Sequence, residues 1–161
     1  MSTPEASFTT AALKAFRQNL DRADKFFTDL SADQLEARVA PGKNRLIYLW
    51  GHLAAVNDAM LPLLGIGERL HPEFDSIFLK SPDGTAADVP SAVELSLAWK
   101  AINEKLLSDM EALAPAEWLE RHTSVSEEDF AKEPHRNRFA ILLSRTSHIA
   151  YHMGQAVLAP K

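Results

Sequence analysis

Apolar side chains recur three and four residues apart along four stretches of the chain, which is the period of a helix that buries one face. The first stretch covers about residues 9–30. Ala12, Phe16, Leu20, Ala23, Phe27 and Leu30 make its stripe and Phe26 widens it, while Lys14, Arg17, Asp21 and Lys25 take the other side. The second covers about residues 44–64, through Leu46, Leu49, Trp50, Leu53, Val56, Met60 and Leu64. The third covers about residues 91–113, through Leu95, Trp99, Ile102, Leu106, Met110 and Leu113. The fourth covers about residues 137–158, through Phe139, Leu142, Leu143, Thr146, Ile149, Met153 and Val157.

The residues between these stretches punctuate them. Pro41-Gly42 breaks the chain before the second, and Gly65 and Gly67 follow it as C-terminal stops. Ser91 with Glu94 three residues on is a capping-box pattern ahead of the third stretch, which Pro115 ends. Pro134 precedes the fourth and Pro160 closes it; Ser31-Ala-Asp-Gln34 reads as a short helical turn. Helices of about 20 residues are about 30 Å long, a length suited to a bundle. The pattern therefore predicts an all-α fold, a four-helix bundle. The connection over residues 65–90 is too long for a hairpin and predicts a crossover between the second and third helices. A second long connection, residues 114–136, is acidic at Glu127, Glu128 and Asp129.

Composition narrows the class. At 161 residues the chain suits one domain, expected to span residues 1–161 with residues 1–8 as a flexible N-terminus. There are 22 acidic against 17 basic residues, for a net charge of −5, which argues against nucleic acid as a partner. Neither a signal-peptide core nor an apolar run long enough to span a membrane occurs, so a cytoplasmic location is expected. The absence of cysteine excludes disulfides, thiolate nucleophiles and Cys-ligated zinc.

Histidine is where chemistry concentrates. His148 and His152 are four apart, about 40° of rotation and about 6 Å of rise on a helix, so both imidazoles leave the same face and can share a metal. On a helical wheel they lie beside the apolar arc, with Ile141, Arg145 and Gln155 on the same side. His52 borders the apolar arc of the second stretch in the same way. Three such histidines on two facing helices can meet at one point. Taken singly, His52 reads first as a hydrogen-bonded core residue, and the pair alone fits a metal site and no site equally well. His71, His122 and His135 fall in connections and read as solvated.

Residues 147–155, SHIAYHMGQ, are similar to the last-helix signature of the DinB-like superfamily, in which two histidines four apart are followed by Gly-Gln. Residues 49–57, LWGHLAAVN, resemble that family's second-helix motif, and the turns LSADQL and LAPAEW resemble its punctuation. The resemblance implies a four-helix bundle with a long crossover, a homodimer, and a three-histidine site for zinc, nickel or a similar divalent ion on His52, His148 and His152. It also implies a possible activity, transfer of a small thiol of the bacillithiol, mycothiol or glutathione type to an electrophilic small molecule. A non-catalytic metal-binding or stress-related scaffold module, and a metal-dependent hydrolase, stand as alternatives.

Other residues near these motifs have two readings each. Arg145 is a surface ion-pair partner or a binder of an anionic substrate group. Asn57 is an interhelical polar contact or orients a ligand. Tyr48 and Tyr151 are candidate proton donors, Asp58 is expected at the surface, and Trp50, Trp99 and Trp118 read as core anchors.

Overall fold

The structure, a computed structural model, describes residues 3–160. The described residues form six α-helices: α1 Pro4–Thr28, α2 Ala32–Leu35, α3 Leu46–Leu64, α4 Ala92–Ala112, α5 Glu127–Lys132 and α6 Arg138–Ala156. A π-turn at Asp75–Leu79 and a 3-10 turn at Pro115–Leu119 complete the set. The only β-pairing among the described residues is two isolated bridges, Arg38 with Arg45 and Arg121 with Asn137. No described helix is long and apolar enough to cross a membrane. The four long helices, α1, α3, α4 and α6, are those that the periodicity predicts.

The helix ends follow local chemistry. Thr3 caps α1 by accepting from the Ala6 N–H at 3.2 Å, and Pro4 fills the first turn, where a missing N–H costs nothing. Residues 4–8, expected as flexible chain, are therefore helical. Ser31 and Gln34 form a reciprocal capping box on α2, as Ser91 and Glu94 do on α4. Gly65 ends α3 in the left-handed conformation, φ 68°.

Side-chain contacts give the directions of the helices. Arg17 of α1 pairs with Glu111 near the end of α4, and Trp99, in the first half of α4, donates to Asp24 further along α1. These two helices are antiparallel. Phe27 at the end of α1 stacks on Trp50 near the start of α3 with ring centroids 5.5 Å apart. His52, also near the start of α3, meets His148 and His152 near the end of α6. Hence α1 and α6 run one way and α3 and α4 the other. The most extensive packing is within the two parallel pairs, α1 on α6 and α3 on α4, with α3 also against α6. Parallel neighbours cannot be joined by a hairpin, so the chain from α3 to α4 travels the length of the bundle, as the long connection predicts.

That crossover is pinned to α3 along its course. Arg69 bonds Asp58 at 3.0 Å, and the N–H groups of Leu70 and His71 donate to the same carboxylate. Asp58, expected at the surface, is fully buried: the crossover lies over it and brings a cation and two amide donors to satisfy it. At the other end of α3, Asp83, 3% exposed, takes the Arg45 guanidinium at 2.6 Å and the Arg45 backbone N–H at 2.7 Å. Between them, the Phe78 ring sits directly over Gly51, where an added Cβ would overlap it. All three tryptophans are buried, each removing enough apolar surface to contribute roughly 2–3 kcal/mol.

Candidate metal centre

α3 and α6 lie side by side, and the site forms where the start of one meets the end of the other. His52 leaves α3 one residue after Gly51. His148 and His152 leave α6 from its α3-facing side, one turn apart. The three side chains come together: His148 Nε2 lies 3.2 Å from His52 Nε2 and 3.0 Å from His152 Nε2. All three rings are half-buried, and one ligand atom from each lies within 4.8 Å of the others.

Two of the rings have their orientation and tautomer set from behind. His52 Nδ1 is 3.0 Å from the carbonyl oxygen of Phe78, which can only accept, so Nδ1 carries the proton and the Nε2 lone pair faces the centre. His152 Nδ1 is 2.8 Å from Gln155 Oε1. The other end of that amide donates to the Tyr151 hydroxyl at 3.2 Å, which leaves the oxygen to accept from His152. His148 Nδ1 is buried without a partner. Burial, and then the neighbouring His152, His52 and Arg145, push His148 down to about 4. Burial likewise lowers His152, partly opposed by its Gln155 bond. The centre is therefore built for neutral imidazoles.

The spacing fits a cation. With metal–nitrogen bonds of about 2.0–2.1 Å, tetrahedral angles put neighbouring ligand nitrogens about 3.3 Å apart and right angles about 2.9 Å. The observed 3.0 and 3.2 Å lie between these values. Among the described residues no Asp or Glu joins the group, and His71, His122 and His135 stand apart from it.

The sequence profile of the DinB superfamily matches residues 15–156. The chain belongs to the DinB superfamily. A crystal structure described as the conserved protein of locus from Enterococcus faecalis superposes with a TM-score of 0.63 over 92% of each chain at 18% identity, a likeness of fold. No curated protein matches.

The remaining sequence candidates of this DinB protein separate cleanly. Asn57 donates to Asn103 across the α3–α4 interface at 2.8 Å, the interhelical reading. Tyr48 donates to the Ser81 carbonyl at 2.6 Å and helps hold the crossover, so it is not a free proton donor. Tyr151 is exposed and lies edge-on to His152. His135 is exposed, as expected, whereas His71 is half-buried and pairs with Glu73. His122 is half-buried rather than solvated, with an unpartnered Nδ1 and a pKa lowered first by burial and then by Arg136. Arg145 is half-buried without an ion-pair partner among the described residues, so the surface ion-pair reading does not hold.

One supporting group escapes sequence reasoning. The Phe78 carbonyl comes from the crossover, 26 residues from His52. The signal for it is Gly51 itself: a glycine inside an apolar helix costs about 1 kcal/mol and marks a close approach.

Proposed function

We propose that this DinB protein holds one divalent metal ion on Nε2 of His52, His148 and His152 and transfers a small thiol to an electrophilic molecule there. The observation that carries the reading is the convergence of three imidazoles with two lone pairs aimed inward by Phe78 and Gln155. Three imidazoles suit zinc, nickel, copper and iron, of which zinc or nickel is expected. Such an ion keeps its full charge and supplies Lewis acidity that lowers the pKa of a bound thiol or water.

The chain's own residues position and exclude. Phe78 and Gln155 keep two rings from turning away. The triad is half-buried rather than enclosed, which favours a site that takes substrate over a closed structural one. With no cysteine in the chain, the sulfur comes from an external thiol. In the transfer the sulfur lone pair forms a bond to the electrophilic carbon, the carbon–leaving-group bond breaks with its pair, and the thiol proton passes to solvent. Hydrolysis is less favoured, because no carboxylate joins the group to serve as base for water. A homodimer belongs to the same proposal; the exposed Leu143 and Tyr151 on the outer side of α6 are consistent with it.

Elemental analysis of protein purified without a histidine tag tests the reading. One equivalent of zinc or nickel is expected, lost in His148→Ala with the helical content retained. Metal content unchanged in that variant overturns the ligand assignment. Consumption of an electrophile that depends on both metal and added thiol is the expected activity, and its absence across a panel of thiols removes the transferase reading.

A further inference from the structure

Arg145 stands out among the arginines. The half-buried ones are Arg45, Arg69, Arg121, Arg136, Arg138 and Arg145. The first five all pair with carboxylates: Asp83, Asp58, Glu127, Glu133 and Glu120 respectively. Arg145 pairs with none among the described residues, and its Nε is buried without an acceptor. A guanidinium drawn partly out of water with nothing to bond is costly, and such a group persists where a ligand completes it.

Its position says which ligand. Arg145 lies three residues before His148 and seven before His152, so all three leave the α3-facing side of α6, with Arg145 about 4.5 Å of helix rise from His148. The histidines bring no anion of their own, so a divalent ion there and the guanidinium together would form a strongly positive cluster with no carboxylate among its ligand atoms.

We propose that Arg145 binds a carboxylate of the molecule that engages the histidine centre, which makes the substrate class small carboxylate-bearing thiols rather than neutral ones. The guanidinium fork matches the two oxygens of a carboxylate in a way an ammonium does not. The bound molecule spans from the guanidinium to the imidazole nitrogens, its sulfur at one end and its carboxylate at the other. Arg145 is thus a specificity-determining residue. This inference rests on the metal-centre reading for the sulfur end and on Arg145 alone for the carboxylate end.

The two ends can be tested apart. Protein loaded with cobalt(II) reports thiolate binding by a sulfur-to-metal charge-transfer band. Titrations compare 3-mercaptopropionate, 2-mercaptoethanol, which lacks the carboxylate, and propionate, which lacks the sulfur and is followed by its displacement of the thiol. 3-Mercaptopropionate is expected to bind about tenfold or more tightly than 2-mercaptoethanol, in line with one charge-assisted bidentate contact. Arg145→Met should abolish that preference while leaving cobalt stoichiometry and 2-mercaptoethanol affinity unchanged, and Arg145→Lys should retain only part of it. Arg145→Gln serves the same purpose if the methionine variant does not fold. Equal affinity for the two thiols in the unaltered protein, or a preference that survives in Arg145→Met, overturns the inference. In metal-free protein, the Arg145 Nε–H resonance, assigned by its absence from Arg145→Lys, should move on adding propionate. Protein that takes up no cobalt while this resonance responds sinks the metal reading and leaves the carboxylate site standing. Protein that takes up cobalt and shows no carboxylate preference sinks this inference alone.

Discussion

His148 is the hinge of the triad, with its Nε2 between the other two and its Nδ1 left without a partner. His52 and His152 both present bare Nε2 lone pairs, and His148 Nε2–H lies within hydrogen-bond distance to donate to one of them. A cation takes over that role. Burial, and then the neighbouring His152, His52 and Arg145, set the pH response of metal-free protein. The unfolded imidazole takes a proton near its ordinary 6.5, but folded His148 does so only at about 4. Between these values the unfolded state binds more protons, so stability is full above about pH 6.5 and falls as the pH drops toward 4. Urea denaturation of chelator-treated protein at pH 7.5 and 4.5 should show this loss. In His148→Gln it should be smaller by on the order of 1 kcal/mol, allowing for solvent screening. An identical loss in both proteins would mean that His148 does not titrate as placed. Residue types and spacing singled out the His148/His152 pair and placed His52 where it could meet them, and the family resemblance made the three a ligand set. The Phe78 carbonyl was not legible, since a backbone oxygen has no residue signature and arrives from a distant segment.

At the scale of elements, helix register carries most of what periodicity can say. The four long helices begin and end within a few residues of the predicted limits, except for the start of α1. There Thr3-Pro4-Glu5 is a complete start signal, a cap, a proline at N1 and an acid in the first turn, that the apolar stripe alone passes over. The π-turn at Asp75–Leu79 has no periodicity to read, because it is shaped by what it lies on. Its Phe78 ring occupies the space over Gly51, and its Phe78 carbonyl orients His52 on the next residue. Packing and site geometry are thus joined at one point. Gly51→Ala should push Phe78 away, costing about 1–3 kcal/mol by overpacking even though alanine is the better helix former. It should also weaken metal binding about tenfold by freeing the His52 ring. Metal affinity by competition with a chelating dye, read beside thermal melting, checks both. A variant with lower stability and unaltered metal affinity would separate the turn from the centre.

At the scale of the molecule, the two parallel pairs and the long crossover form one arrangement. Asp58 holds it at mid-helix, buried with Arg69 and two backbone donors around its carboxylate. Asp58→Ala leaves a half-buried cation short of a partner and two amide groups unpaired, and should cost about 3 kcal/mol. Chemical denaturation gives that figure, and protease cutting within residues 65–91 should quicken. A neutral result would show that the crossover is held elsewhere. The spacing of apolar residues, with glycines, prolines and caps, is local information, and by itself it determined the helices, their buried faces and the long connection that a parallel pair requires. The histidine types and their four-residue spacing are local too. Which helices became neighbours was decided only by the folded chain, and with it came the burial of Asp58, the carbonyl behind His52 and the unpaired Arg145. Each of these depends on a segment far away in sequence coming close, and helical periodicity carries no record of such pairings.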